Sequence, residues 1–381
     1  MKSKKAKGKN SFFLKIMLLL NIVFVIFLLL SYLASYISPE TFWFIAFIGL
    51  AYPILLLTNI FFIIFWLIFK KKYALISTIF IISGYSFLFK LIQSSNKIDI
   101  SQETNAFKVI SFNVRNFDIY NLTKKYKYDL RNKNKIFSFL KKESPDIVCF
   151  QEYVHDTTGA FQTTDTLKKF LKAKNSYIYY TVNSRNLNFF GIATYSRFPI
   201  VNRGKIDFKT VSGNICIYTD LKINSDTVRV YNVHFESIRF KAEDYAFAEN
   251  QAKKKNKKID FQSNSERILA RLKKAFIIRA PQTELVADHI KKCKYPVILC
   301  GDFNDTPTSY AYHNIASILN DAFIESGNGI GKTYAGIFPS FRIDYIMHSN
   351  NIMSYNFETV YEEMSDHFPI KCYLKIEKDN K

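Results

Sequence analysis

Cysteine is scarce in this chain. Five are present in 381 residues: Cys149, Cys216, Cys293, Cys300 and Cys372. The number is odd and no two follow C-x-x-C spacing, which excludes a disulfide framework and a cysteine zinc site. Cys149 and Cys300 fall inside apolar strand patterns and read as core residues. No internal repeat is visible, so a repeat architecture is excluded. A phosphate-binding P-loop is also missing. GNGIGKT at residues 327–333 approaches one, but the glycine needed five positions before the Gly-Lys pair is Ser326. Gly336 and Pro339 then follow where the motif requires a helix.

Acid and arginine are nearly absent from the first hundred residues, which hold eleven Lys, no Arg and only Glu40 and Asp99. What fills that region is apolar length. A Lys-rich head leads into residues 12–37, whose only charge is Lys15. Further apolar runs cover residues 42–69 and 73–89. A membrane-spanning helix needs roughly 20 apolar residues. The first two runs reach that length and the third is marginal. The first run is too long for a cleaved signal peptide and no A-x-A site follows it. Lysines cluster in the head and at Lys70, Lys71 and Lys72, while residues 38–41 carry none. The positive-inside rule puts both clusters in the cytoplasm. Three spans make an integral protein of the cell (inner) membrane, with everything after about Ser95 extracytoplasmic. A third run that only lies on the surface leaves the rest cytoplasmic.

The expected organisation is a membrane region over residues 1–95 with about three helices, a linker over 96–105 and one polar domain over 106–378. Within that domain short runs rich in Val, Ile, Phe and Tyr alternate with polar connections, which predicts many strands. Helical periodicity is visible over residues 129–142 and 263–292, and Pro281 is expected to bend or split the second. This pattern predicts two packed sheets flanked by helices. The basic run Lys253 to Lys258 reads either as a solvated loop or as a contact for phosphates or anionic lipid.

Polar residues gather at the ends of the strands. PVILCGDFNDTP, residues 296–307, carries an apolar strand into Asp302 and Asn304. VISFNVRNF delivers Asn113, and PDIVCFQEY delivers Glu152. VRVYNVHFES delivers Asn232 and His234. FRIDYIMHS follows Arg342 with Asp344, and MSDHFPIKCYL sets Asp366 and His367 before the last strand. Singly, each has a plain explanation, because Asp and Asn after a strand make turns. In order, they form a set of carboxylate, amide and imidazole tips able to converge on one mouth of a sandwich.

That set resembles the endonuclease/exonuclease/phosphatase superfamily over roughly residues 106–376. The most specific pieces are Gly301-Asp302-Phe303-Asn304, Arg342-Ile343-Asp344-Tyr345 and Ser365-Asp366-His367, joined with Asn113 and Gln151-Glu152. The resemblance implies an α/β DNase I-like four-layer sandwich, hydrolysis of phosphodiester or phosphomonoester bonds by an activated water, and magnesium, or manganese, as cofactor. It implies Glu152 as the principal metal ligand, supported by Asn113 and Asp366. Asp302 matches the water-activating aspartate and Asn304 the amide that positions nucleophile or phosphate. His367 is expected on the phosphate with Asp344 holding its ring. His234 is a candidate for phosphate binding or leaving-group protonation, and Asn232 and Arg342 are candidates for substrate binding.

The substrate stays open between a nucleic acid and a phospholipid headgroup, that is, between a nuclease and a sphingomyelinase-like phospholipase. An inositol phosphatase is disfavoured, because residues 339–344 read Pro-Ser-Phe-Arg-Ile-Asp where that branch carries Pro-Ala-Trp-Cys-Asp-Arg. The bilayer is an implied partner; no protein partner is. The alternative from another class is a catalytically inactive binding module, which needs a broken constellation.

Overall fold

The computed structural model describes residues 2–100, 103, 105–122, 128–184, 186–210, 213–252, 261–336 and 342–377. The basic run at Lys253 to Lys258 and the segment Pro339 to Phe341 lie outside them. The chain divides into two compact units: Met1–Leu91 with Pro307–His313, and Ile92–Thr306 with Asn314–Lys381.

The first unit is helical: α1 (Lys2–Leu33), α2 (Pro39–Phe42), α3 (Phe44–Leu50), α4 (Tyr52–Phe69), α5 (Lys71–Ser83) and α6 (Tyr85–Phe89). Among the described residues two helical stretches are long and apolar enough to cross a membrane, Phe12–Leu33 and Tyr52–Phe69. The second apolar run of the sequence therefore holds one candidate span, Tyr52–Phe69, rather than one continuous helix. It breaks at Ala51, and Pro53 opens α4, where a missing N–H costs nothing. The third run breaks at Gly84 into α5 and α6. Three helices share a buried polar chain. Trp66 Nε1 donates to Asn21 Oδ1 at 2.9 Å, Asn21 donates to Ser77 Oγ at 2.6 Å, and Ser77 donates to Asn59 Oδ1 at 2.9 Å. Pro307–His313 completes the unit: the Ser35 hydroxyl donates to the Thr308 carbonyl, and the Thr308 hydroxyl to that of Gly49.

The second unit holds the strands. In chain order they are β1 (Gln93–Ser94), β2 (Phe107–Asn113), β3 (Ile147–Asp156), β4 (Asn175–Ser184), β5 (Asn188–Ser196), β6 (Ile200–Ile206), β7 (Ile215–Ile223), β8 (Asp226–His234), β9 (Val297–Asp302), β10 (Asn320–Asp321), β11 (Asn328–Gly329), β12 (Asp344–His348), β13 (Ile352–Thr359) and β14 (Ile370–Ile376). One six-stranded sheet has the order β10-β12-β9-β8-β7-β6 and the other β13-β14-β2-β3-β5-β4. In each sheet a central pair is parallel, β8 with β9 and β2 with β3, and the remaining neighbours are antiparallel.

The core between the sheets contains Val109, Ile147, Val228, Val230, Ile298, Ile346 and Ile370, with Cys149, Cys300 and Cys372 as free thiols. Burying each aliphatic side chain of this size stabilises by roughly 1.5–3 kcal/mol. A second core packs α7 (Arg131–Glu143) and α8 (Thr163–Leu171) against the outer face of the β2–β3 sheet through Ile136, Leu140 and Leu167. On the other sheet, His289 of the long helix Phe261–Lys291 bonds Tyr231 at 2.8 Å. Pro281 does not split that helix, one of the two outcomes expected of it. The buried side chains of Ala280, Thr283, Val286 and Ala287 hold it, and the Thr283 hydroxyl donates to the Ala280 carbonyl. Helices outside two packed sheets give four layers, the DNase I-like sandwich.

Candidate active site

The two parallel pairs end together. β2 and β3 pair in register from Val109 with Ile147 to Asn113 with Gln151, so Asn113 and Glu152 leave that sheet at neighbouring points. β8 and β9 pair up to His234 with Asp302. Gly301 allows this, because a Cβ there would lie 2.1 Å from the Val233 carbonyl oxygen. Asp344 opens β12 directly opposite Asp302.

Glu152 reaches the site through a bulge. The β3–β5 register shifts between Phe150 and Tyr153, and Glu152 takes a φ of 49°. An extra residue in one strand re-aims a side chain without ending the ladder. The loop after Asn113 is more unusual. Arg115, Asn116, Phe117 and Asp118 have φ of 46°, 51°, 51° and 57°. Left-handed backbone costs an L-residue roughly 1–2 kcal/mol, and Asn and Asp bear it best. Phe117 offsets the cost by complete burial, edge-on to Phe137 and Tyr153.

The tips meet. Asn113 Nδ2 donates to Asp302 Oδ2 at 3.0 Å and to Glu152 Oε1 at 3.4 Å. His234 Nε2 lies 3.6 Å from Asp302 Oδ2 and 3.8 Å from Glu152 Oε1. That nitrogen is buried and makes no hydrogen bond. His367 Nδ1 donates to Asp344 Oδ2 at 2.9 Å, and its Nε2 stands 3.8 Å from Asp302 Oδ2. Asn304, at φ 53°, donates its backbone N–H to Asp302 Oδ1 and its amide to the Phe235 carbonyl. Asp366 Oδ2 sits 3.5 Å from Arg115 Nε. The Ser365 hydroxyl donates to the Asn113 carbonyl at 2.9 Å and so ties the last loop to the first.

Electrostatics separates these groups. Burial, then the Asp366 carboxylate, pushes the Glu152 carboxyl up to about 7; Asp302 adds to the rise, and His367 and the Asn113 bond oppose it. Burial and Asp344 also raise Asp302. Burial lowers His234, so it is neutral near pH 7. Burial would lower His367 too, but Asp344 and Asp302 outweigh it and hold the ring well above the ordinary histidine range. One imidazole is neutral and the other cationic, on either side of one aspartate.

Asp302, Asp344 and His367 offer ligand atoms within 4.8 Å of one another. The His367–Asp344 hydrogen bond already occupies two of those groups, so this trio reads better as an aspartate beside a histidine-aspartate pair. Glu152, with Asp302 and Asp366 close enough to raise it, is the stronger oxygen donor for a hard divalent cation. Mutually repelling carboxylates around a buried, unpartnered imidazole nitrogen fit such an ion. Asn113 differs from the expectation for a ligand: its oxygen accepts from the Arg115 N–H at 3.0 Å, and its N–H groups face the carboxylates.

Two residues expected to bind substrate are instead structural. Asn232 is fully buried between the sheets. It accepts from Gln151 Nε2 at 2.8 Å and donates to the Ala193 carbonyl at 3.0 Å. Arg342 is 4% exposed, pairs with Asp321 at 2.6 Å and lies over the Phe323 and Tyr345 rings. Inward-facing strand positions and an aromatic-lined ion pair explain both. Two further residues border the site without a motif to announce them: Arg115, two residues after Asn113, and Tyr334, which bridges to His367 and sets its ring edge-on to the imidazole at 5.5 Å. Beside Glu152 a polar cleft of about 550 Å³ is lined by Arg115, Asn116, Asp118, Tyr120 and Asn121.

Residues 110–367 match the endonuclease/exonuclease/phosphatase family. The chain belongs to that family. As a family member it is a phosphoester-hydrolysing enzyme, and enzymes of this family generally use a divalent metal ion. Residues 14–91 match a domain family of unknown function. No curated protein matches the chain. Among solved structures it is similar to an endonuclease/exonuclease/phosphatase from Bacteroides vulgatus, at 17% identity over 71% of this chain and 99% of that one, with a TM-score of 0.51. A family protein from Bacteroides thetaiotaomicron gives 18% identity over 72% and 98%, also with a TM-score of 0.51. The human Nocturnin catalytic domain with bound sulfate anion gives 17% over 74% and 97%, with a TM-score of 0.50. At these identities the likeness speaks for the fold alone.

Proposed function

We propose that the chain is a membrane-anchored phosphoesterase dependent on magnesium, with manganese as substitute, that hydrolyses its substrate by an activated water. The carrying observation is the juxtaposition of Glu152, Asp302, His234 and the His367–Asp344 pair at the ends of two sheets. Glu152 would hold the ion with help from Asp366. The ion would offset charge on the phosphate and on the departing oxygen. Asp302, fixed by Asn304 N–H and by Asn113, accepts the proton of the attacking water. His367, kept cationic by Asp344, donates Nε2–H to a phosphate oxygen, much as a buried carboxylate holds a catalytic histidine in other hydrolases. Neutral His234 is placed to bind the phosphate or exchange a proton with the leaving oxygen, and Asn304 to steady the nucleophile. The intact set argues against an inactive binding module.

The full chain in detergent should hydrolyse bis-p-nitrophenyl phosphate with added magnesium and lose that activity in excess chelator. Absence of turnover with every phosphate ester and divalent metal tried contradicts the reading. Asp302→Asn or His367→Ala should each cut turnover by orders of magnitude while circular dichroism stays unchanged.

For localisation we propose an extracytoplasmic catalytic domain in the inner membrane. Lysines at the head and at residues 70–72 favour the cytoplasm. α5 and α6 run about 20 Å and about 8 Å at 1.5 Å per residue, and Ser77 joins α5 to the two longer helices. A C-terminal alkaline phosphatase fusion should be active and a green fluorescent protein fusion dark; the reverse overturns the topology.

A further inference from the structure

The left-handed turn from Arg115 to Asp118 is an expense the fold sustains right beside Glu152. Strained backbone over-determined by its surroundings concentrates where ligands are held. Here the surroundings are specific. Phe117 is locked in the core, the Arg115 N–H is held by Asn113, and Asn132 donates to Asp118. The consequence is the cleft lined by Arg115, Asn116, Asp118, Tyr120, Asn121 and Glu152. At about 550 Å³ it falls in the size range of small-molecule sites. One wall is aromatic. Tyr120 lies flat on Phe190, with ring centroids 6.0 Å apart and planes 9° from parallel, and yet is 75% exposed. Phe190 backs one face of the phenol, and the exposure leaves the rest of the ring available.

We propose that this cleft is a nucleotide subsite, in which the base of the substrate stacks on Tyr120 while its phosphate lies toward Glu152. The inference rests on the phosphoesterase reading and names its substrate class. A flat ring with a second ring behind it suits a base, since every base has a π face. The amides of Asn116 and Asn121 supply donors and acceptors for the base edge or the sugar hydroxyls. The guanidinium of Arg115, held between Asp118 at 3.6 Å and Asp366 at 3.5 Å with its side chain 55% exposed, is the cation on the cleft wall that a phosphate would meet. A sugar phosphate has no π face to lay along the Tyr120–Phe190 pair.

The test uses the full chain carrying Asp302→Asn, so that ligand survives, and in parallel the wild-type chain in chelator. Calorimetry reads binding of adenosine 5′-monophosphate, ribose 5-phosphate and phosphocholine. Adenosine monophosphate should bind at least tenfold more tightly than the other two. Tyr120→Ala should weaken it roughly tenfold or more, Tyr120→Phe should keep it within about threefold, and ribose 5-phosphate should respond little to either. Tyr295→Ala, at the opposite end of β9, should change nothing. Equal affinity for the three ligands, or an equal loss for adenosine monophosphate and ribose 5-phosphate in Tyr120→Ala, overturns the subsite. Tighter phosphocholine binding overturns it in favour of a lipid headgroup. Binding is read without turnover, so these outcomes stand apart from failure to hydrolyse bis-p-nitrophenyl phosphate, which strikes the phosphoesterase reading instead.

Discussion

Asp344→Asn removes one charge and almost no volume from the site. Asp344 is 1% exposed and holds His367 Nδ1 through oxygens at 2.9 and 3.2 Å. At an effective dielectric near 20, unit charges about 3 Å apart interact by on the order of 5 kcal/mol. That attraction is the main force holding His367 protonated against its own burial. The amide can still accept a hydrogen bond but carries no charge, so the ring becomes neutral around pH 7. Loss of a histidine-orienting aspartate in a comparable pair lowers kcat about 10⁴-fold. We expect a fall of roughly 10³- to 10⁴-fold in kcat with KM within a few-fold, because the lost charge acts on the developing phosphate charge. The sign with pH follows from the raised folded-state value. The stability from the pair is fully present below the unfolded histidine value near 6.5 and fades as pH rises through the higher folded value. Wild-type activity should decline on the alkaline side through that same value, and in Asp344→Asn the decline should move to lower pH. Steady-state kinetics across pH and ¹⁵N spectra of the histidine rings provide the assay. A kcat within tenfold of wild type, or a His367 ring that titrates near 6.5 in the wild-type protein, refutes the reasoning.

Arg342→Ala should lower stability by about 3–5 kcal/mol, because it strands the buried Asp321 charge, and leave KM per folded molecule unchanged; denaturant unfolding with active-site titration separates the two. Asn232→Ala should likewise act on stability, by about 1–3 kcal/mol, since Gln151 Nε2 loses its 2.8 Å partner between the sheets. Glu152→Gln should abolish the response of turnover to magnesium concentration while removing the carboxyl raised to about 7, so any acidic limb near that pH should vanish with it. Asn21→Leu should loosen the helical unit by about 1–2 kcal/mol, read as a lower melting temperature in detergent, because Trp66 and Ser77 lose a shared partner.

Central strands were legible because burial on both faces writes them as apolar runs, broken in these segments only by Ser111: VISF in β2, IVCF in β3 and VILC in β9. Two of the edge strands, β6 and β13, were not. β6 reads IVNRGKI and is largely exposed, the charged composition that keeps an edge from pairing with another chain. β13 was missed because its letters run against the pattern: at the other sheet's margin it buries Ser354 and Thr359 and exposes Met353. The strand-end polar residues were visible as a series, and Glu152, Asp302, Asp344 and His367 do meet. Their neighbours were harder to sort. Asn232 and His234 are two apart on one strand, and only the sheet packing decides which reaches the cleft and which ties the sheets together. Backbone devices were invisible. Nothing in the letters RNFD announces four left-handed residues, and nothing in FQEY announces a bulge that turns Glu152 inward.

The central claim is that these strand ends form one site at which water attacks phosphorus. Hydrolysis of bis-p-nitrophenyl phosphate in ¹⁸O-labelled water, followed by ³¹P NMR of the product, tests it most directly. The account predicts that the wild-type chain with magnesium places one ¹⁸O on the product phosphate, and that Asp302→Asn yields no product above background. Label on the phenol oxygen, or equal product from both proteins, would contradict it.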